Sequence, residues 1–477
     1  MPKTSKTKSA KRRSSHEEAL PQKQVRVQQS DAASPLSFHS PDSLFQSLIQ
    51  PMGAEQFFQE YWEKKPLHLQ RSDSSTSSYY QTLFQLSDLP ALCSEGLEFY
   101  RDVNVVRCVN GKKKVLNKEG RVKSGILHKL FHGNKATVQF HQPQRFKDEL
   151  WRIQEKLESF FGALVGSNVY ITPQESQGLP AHYDDVEVFI LQLEGQKQWR
   201  LYEPTVPLSA EYSVESEDRI GRPTHQILLK AGDLLYFPRG TIHQASTPAG
   251  VEHSTHLTLS TYQRMSWGDL LLDTFPSMLY DSSRTDVSLR EGVSRKLLLG
   301  GGDGGDSSRR LVSSLRSLAD RLERGGLEVR STHMKSPHDP PATVRPAGAH
   351  IPGLEDQVCF RDRDHVMITV ESSQEKTVSH SSESGGRGGR GGDEATELVV
   401  FVLHSLKNNR QRHMMGGADD EGEEPDVSGG LKFPVSHLPA LRQLHWSLPV
   451  SELQLPTPEA QVSLALALWS ESLLDVL

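Results

Sequence analysis

His182-Tyr183-Asp184 is the only His-x-Asp triplet in this 477-residue chain, and it sets an imidazole and a carboxylate two positions apart. Tyr170 to Thr172 and Val186 to Leu193 read as strands, so the triplet lies at a strand entry. On a strand, residues i and i+2 point to one face, and His182 and Asp184 then aim a nitrogen and an oxygen at a common point. Non-haem Fe(II) sites of oxygenases need two histidines and one carboxylate on one face of the ion, with the opposite face open for O2 and a co-substrate. His243 is the expected second histidine. It closes the run GDLLYFPRGTIH, in which Gly232-Asp233 marks one turn, Pro238 and Gly240 mark another, and a short strand lies between them.

The Gly-x5-Pro-x-Gly-x2-His spacing of that run resembles the second motif of the cupin superfamily, whose closing histidine is a metal ligand. Against this stands a metal-free barrel with structural histidines; both motifs, in order within one β-rich stretch, favour the metal. Asp185 points to the strand face opposite Asp184. His253 and His256 lack the turn context of His243 and read as pocket or core histidines, and His141 reads as structural. Fe(II) oxygenases commonly use 2-oxoglutarate, whose far carboxylate requires a cation. Lys197 is the expected anchor: it sits in an apolar-aromatic strand near Trp199, just after VEVFILQLEG has turned at Gly195. Tyr170 and Thr258 are expected to add hydroxyl contacts, and Asn168 a hydrogen bond near the metal-bound end.

These side chains need a rigid frame. From Asn168 to Gln263 the chain is a series of short β-rich runs separated by Gly and Pro, which suggests a closed sheet or a double-sheet jelly roll. Ahead of it, Phe146, Leu150, Ile153, Leu157 and Phe160 recur at helical spacing over 145–161. Residues 98–124 read as strands around the hairpin signal Asn110-Gly111, with Lys112, Lys113 and Lys114 on an exposed turn. Earlier still, Asp42 is the expected cap of a helix carrying Leu44, Phe45 and Leu48, and Phe57, Phe58, Tyr61 and Trp62 form an aromatic stripe that Pro66 ends.

Beyond the β-rich stretch, 266–330 turns helical. Leu311, Leu315, Leu318 and Leu322 share one face, ended by Gly325-Gly326; that face packs either on its own domain or on a second copy. GGDGGD at 301–306 and residues 330–355 are linker-like. A small mixed unit follows: DHVMITV and ELVVFVLHSL read as paired strands, and FPVSHLPALRQL and EAQVSLALALWSESLLDVL as helices. The last of these has Thr457 as N-cap and Pro458 at its first position. Two inserts interrupt the unit, GGRGGRGG at 385–392 and ADDEGEEPD at 418–426; the acidic one weakens any claim to bind nucleic acid.

Composition sets outer limits. The length exceeds the roughly 250–300 residues at which single cores stop growing. With 36 Gly, 27 Pro and 35% hydrophobic residues, disordered segments are expected beside ordinary cores. A net charge of −6 excludes a general nucleic-acid sponge. Residues 1–36 form a basic tail, with Lys11-Arg12-Arg13 at its centre, that reads either as a nuclear-import or nucleic-acid patch or as a solvated tail. Cys93, Cys108 and Cys359 are too few and too scattered for a disulfide framework. No apolar run of about 18 residues is present, so no membrane partner is expected.

At GSNVYITPQESQGLPAHYDDVEVFILQLEGQKQWRLYEPTVPL and KAGDLLYFPRGTIHQASTPAG, and at RDVNVVRCVNGKKKVLNK and FHQPQRFKDELWRIQEKLE before them, the chain resembles the JmjC-domain oxygenases, and within these the ribosomal oxygenase group of MINA type. The resemblance implies an α+β chain: a double-stranded β-helix (JmjC/cupin jelly roll) over 37–270 with its core at about 98–270, then a helical dimerisation region over 271–335, a linker over 336–355, and a winged-helix-like domain over 356–477 with disordered inserts at 372–396 and 415–430. It implies Fe(II), with 2-oxoglutarate and O2 as co-substrates, and hydroxylation of a histidine in a large-subunit ribosomal protein. His182, Asp184 and His243 take the metal, and Lys197 the far carboxylate. Asn104, Gln139, Tyr212 and Ser260 fall where the group lines its peptide site. A homodimer, a nuclear and nucleolar location, and association with pre-ribosomes or chromatin are implied as well. Two other expectations compete: histone lysine demethylation at the same iron, and a non-enzymatic chromatin or ribosome-assembly adaptor.

Overall fold

A computed structural model describes residues 34–293, 295–299, 305–323, 350–361, 366–372, 398–404, 410, 411, 413, 414 and 430–477. The basic tail as far as residue 33, most of GGDGGD, the linker as far as residue 349 and nearly all of both inserts lie outside the described residues.

The core starts earlier than the tail boundary at 36, because Leu36 is already buried. Ser40 caps the first helix, Pro41–Ile49, in place of Asp42. Its hydroxyl accepts from the Ser43 N–H and the Ser43 hydroxyl accepts from the Ser40 N–H, while Asp42 lies in the first turn, where a negative charge suits the helix dipole. Phe45 on this helix stacks on Phe160 of the helix Asp148–Phe161, at 4.3 Å between ring centres, and Phe57 meets Tyr236 edge-on. The aromatic stripe is therefore core.

Among the described residues thirteen strands precede the helical region: β1 (Leu67–Leu69), β2 (Val103–Val109), β3 (Lys112–Val115), β4 (Thr137–His141), β5 (Val165–Pro173), β6 (His182–Tyr183), β7 (Glu187–Glu194), β8 (Gln196–Tyr202), β9 (Ser213–Val214), β10 (His225–Lys230), β11 (Leu234–Phe237), β12 (Ile242–Ser246) and β13 (His253–Thr261). They form two antiparallel sheets, an eight-stranded one in the order β1-β11-β7-β13-β5-β4-β2-β3 and a five-stranded one in the order β10-β8-β12-β6-β9. This is the double-stranded β-helix.

The run VEVFILQLE shows no alternation of apolar and polar residues because both faces of β7 are covered. Phe189, Leu191 and Leu193 pack into the cluster shared with the N-terminal helices. Val188 and Ile190, pointing the other way, join Trp199, Leu201, Leu235 and Phe237 between the sheets. Gly195 turns β7 into β8 at φ +62°, and a Cβ there would stand 2.0 Å from the His253 carbonyl oxygen. No other residue fits that turn, and it sets the register of Lys197 two positions on.

After β13 the helices Trp267–Thr285 and Asp306–Glu323 follow. Of the leucine stripe, Leu318 is buried whereas Leu311 and Leu315 are exposed. In the C-terminal unit β14 (Gln357–Phe360) pairs with β18 (Leu448–Pro449) and β19 (Leu474–Val476), and β16 (Leu398–His404) lies between β15 (Val366–Ser372) and β17 (Gly430–Pro434). The expected DHVMITV and ELVVFVLHSL pairing is β15 with β16. Two segments differ from a purely helical reading. Phe433-Pro434 ends β17 before the short helix Leu438–Gln443. The last helix, Pro458–Ser470, is capped by Thr457 as expected but stops at Ser470: Ser472 takes φ +64°, the Leu473 N–H bonds back to Leu468, and the chain turns into β19. Tyr280 of the first long helix packs on this unit, and Asp281 pairs with Arg442.

Candidate metal centre and oxygenase site

β6 and β12 are antiparallel neighbours in which His182 and His243 stand directly opposite each other. Cross-strand partners project to the same side of a sheet, so the two rings approach to 4.3 Å between centres. Asp184 leaves the end of β6 on that side, with Oδ2 3.5 Å from His243 Nε2. One ligand atom from each of the three residues lies within 4.8 Å of the others.

The donor set fits a metal in its protonation as well as its spacing. His182 Nδ1 is 2.8 Å from the Pro180 carbonyl oxygen, and His243 Nδ1 is 3.0 Å from the Thr241 carbonyl oxygen. A carbonyl only accepts, so each Nδ1 carries a proton, and the neutral form of each ring has its lone pair on Nε2. Burial, reinforced by His182 nearby, holds the His243 imidazole down to about 4, so it is neutral at physiological pH. Two imidazoles and a carboxylate on one side of a point form the facial arrangement of non-haem Fe(II).

The triad opens on a cavity lined by Tyr170, Thr172, Lys197, Trp199, His256 and Thr258, among others. Lys197 crosses from the small sheet to the large one: its ammonium donates to Thr172 Oγ1 at 2.6 Å. Among the described residues no carboxylate pairs with it, and burial lowers its pKa to about 7. A buried amine in that position calls for an anionic partner. Thr172 was not singled out from the sequence, although it lies in phase with Tyr170 in NVYITP. His256 stacks flat on Tyr170, 5.0 Å between ring centres, which fixes the plane of the phenol.

Residues 139–265 match the family model of the JmjC domain. Over 473 residues, 97% of each chain, the sequence is 52% identical to ribosomal oxygenase 2 of Rattus norvegicus. The chain belongs to the ribosomal oxygenase family. A further relative is the bifunctional lysine-specific demethylase and histidyl-hydroxylase NO66 of Aedes aegypti, 35% identical over 288 residues, which are 58% of this chain and 45% of that one. Among solved structures, the ribosomal oxygenase YcfD of Escherichia coli in complex with cobalt and 2-oxoglutarate aligns with 89% of this chain and 98% of its own, at 15% identity and a TM-score of 0.35.

In this ribosomal oxygenase the expected site residues separate into two groups. Lys197, Tyr170, Thr258, Gln139 and Tyr212 line the cavity with the triad. Lys113, read from the sequence as part of an exposed turn, lines it too. Asn168, Asn104 and Ser260 do not reach its wall. Asn168 Oδ1 is engaged by His141 Nδ1 at 2.9 Å, and Asn104 Nδ2 by His141 Nε2 at 3.0 Å, so His141 spends both amides in one relay. Ser260 lies further out, opposite Gly166. Asp185 is not among the residues lining the cavity and accepts from Gln263. His253 pairs with Glu194.

Behind the triad sits a buried support that the sequence did not reveal. Glu187, three residues after Asp184, accepts from the Tyr236 hydroxyl and pairs with Arg239, which precedes Gly240 and also pairs with Glu63. The Gly240 N–H in turn donates to the Asp184 carbonyl at 2.9 Å. The two ligand-bearing segments of the ribosomal oxygenase are thus tied to each other before any ion binds.

Proposed function

We propose that this ribosomal oxygenase uses Fe(II), 2-oxoglutarate and O2 to hydroxylate a histidine side chain of a large-subunit ribosomal protein. The observation that carries the reading is the triad, with each histidine Nδ1 turned to a backbone carbonyl, facing a buried lysine in the same cavity. Bound Fe(II), together with 2-oxoglutarate and O2, supplies the oxidation that puts one oxygen atom into a C–H bond and yields succinate and CO2. The chain's own residues do the rest. His182, Asp184 and His243 hold the ion. The Lys197 ammonium takes the far carboxylate, assisted by Thr172, Tyr170 and Thr258. Trp199, Val188 and Ile190 keep water out of the inner cavity, and Gln139 and Tyr212 stand on the wall open to a peptide. The names of the relatives support a ribosomal target, and the histidyl-hydroxylase name supports the residue type.

The adaptor expectation loses ground because every ligand position is filled by a donor in the correct tautomer. We infer further that the chain works as a homodimer in the nucleolus; the exposed Leu311 and Leu315 support the first, the basic tail and the supply of ribosomal proteins there support the second. The deciding experiment incubates the Fe(II)-loaded chain with synthetic histidine peptides from large-subunit ribosomal proteins. A mass gain of one oxygen on a histidine is expected, without formaldehyde. Formaldehyde from a methyl-lysine peptide, with no oxidised histidine, would move the reading to demethylation.

A further inference from the structure

Residues that follow β16 in the C-terminal unit return to the oxygenase barrel. Arg410, His413 and Met414 lie against the turn Pro143–Arg145, the helix Asp148–Phe161 and the start of β5. His413 is 5% exposed. Its Nε2 is 2.6 Å from Glu158 Oε1, its Nδ1 is 2.9 Å from Gln144 Nε2, and its ring meets Trp151 edge-on at 5.1 Å. The amide nitrogen of Gln144 only donates, so Nδ1 accepts and Nε2 donates to the carboxylate. The same two side chains are held from the barrel side: Glu158 Oε1 accepts from the Val165 N–H, and Gln144 Oε1 accepts from the Ser167 hydroxyl. Arg410 donates to the Gln144 carbonyl at 2.6 Å and pairs with Asp148. A buried network bonded from both sides favours one geometry, and opening it costs those hydrogen bonds.

What this anchor positions is Met414. On β5 and β13 the cross-strand pairs Tyr170–His256, Asn168–Thr258 and Gly166–Ser260 follow one another along one face. The first pair lines the cavity. The last stands at its outer continuation, about 13 Å from Tyr170 at roughly 3.3 Å per residue. Gly166 has an ordinary backbone conformation, so its missing side chain serves space: a Cβ would lie 3.1 Å from Ser260 Oγ and 3.3 Å from Met414 Cε. Met414, 37% exposed, thus rests on the row that leads out of the active cavity.

We propose that Met414 is a wall of the peptide groove, held there by His413 on Glu158 and Gln144, so that the C-terminal unit sets the affinity for the peptide around the target residue. This rests on the peptide-oxygenase reading above. The unbranched thioether suits contact with varied apolar surface of an extended peptide. His413 is a positioning residue and Met414 determines specificity.

The test uses the full chain with 13C-methyl methionine, the Met414 signal being assigned by its loss in Met414→Leu. Adding Mn(II) alone to the triad is expected to broaden the Met414 methyl relative to Zn(II), and His413→Ala is expected to relieve that broadening. In parallel, with the ribosomal histidine peptide turned over fastest by the unaltered chain, Met414→Ala and His413→Ala are expected to raise the peptide KM about tenfold while the 2-oxoglutarate KM stays unchanged. A methyl equally sharp with Mn(II) and Zn(II), or an unaltered peptide KM in Met414→Ala, overturns the proposal. If the unaltered chain oxidises no ribosomal peptide, the proposed function falls, and the Mn(II) measurement still decides where Met414 lies.

Discussion

His182 and His243 occupy opposed positions on neighbouring antiparallel strands, and their rings stand 4.3 Å apart with both Nε2 atoms on the side of Asp184. Each strand contributes one ligand, so neither alone holds an ion. Losing even an outer partner of a metal ligand costs about 10–100-fold in affinity or activity. His243→Ala is expected to exceed that and to abolish turnover while the melting temperature of the metal-free chain changes little. Turnover at the unaltered rate in this variant would show that another histidine is the ligand.

Lys197 gives a pH signature. Burial lowers its pKa to about 7 against an unfolded value of about 10.4. Between those values the unfolded chain holds a proton that the folded chain lacks, so metal-free stability rises with pH through that window. A bound dicarboxylate needs the ammonium form. Above pH 7 its binding therefore takes up a proton, and apparent affinity falls by up to about tenfold per pH unit. Calorimetry with Zn(II) in the site and two buffers of different ionisation enthalpy reads the proton directly; equal affinity at pH 7 and 8.5 without uptake rejects the assignment. Lys197→Met is expected to weaken 2-oxoglutarate by about 10- to 100-fold, the range of a hydrogen bond to a charged group.

Glu187 runs the other way. Burial pushes its carboxyl up to about 7 despite the Tyr236 hydroxyl and Arg239. A raised carboxyl contributes most below its unfolded value, near 4.3, and loses that contribution as pH rises to 7. Glu187→Gln should therefore gain on the unaltered chain as pH climbs from about 4.5 to 7, by at most roughly 1.4 kcal/mol per unit, and then level off. Denaturant melts at pH 5, 6, 7 and 8 give the curve; a stability difference constant across all four contradicts it.

The exposed leucines make a separate claim. Leu311 and Leu315 stand on the face of the helix Asp306–Glu323 whose Leu318 is buried. If a second copy covers them, Leu315→Asp places a charge in an apolar interface and yields a monomer by sedimentation at micromolar concentration, with metal binding kept. An unaltered sedimentation coefficient would remove this helix from any interface.

The ligands were legible because strand periodicity and turn residues are local. His182 and Asp184 are two apart, and Gly232, Pro238 and Gly240 bracket the strand that delivers His243. Lys197 was legible as a charge out of place in an aromatic strand. Thr172 was harder, since its role depends on a lysine from the opposite sheet reaching it. Asn168 and Asn104 have the right chemistry at the right positions, yet His141 lies between them and engages both amides; sequence does not show who a polar group's partner is. Glu187, Arg239 and Glu63 meet over more than a hundred residues of chain, and Ser472 ends the last helix through one backbone angle. Neither leaves a periodic trace.

Both ligand histidines take their ring angle and their tautomer from the carbonyl two residues behind them, Pro180 for one and Thr241 for the other. Each is thus a three-residue cassette that is set when its own stretch of backbone is set. Folding, and not the ion, does the work of arranging the donors. Metal can then enter and leave a finished socket, and ions of similar size and charge meet the same welcome. Which one resides there in the cell is decided by supply as much as by the protein.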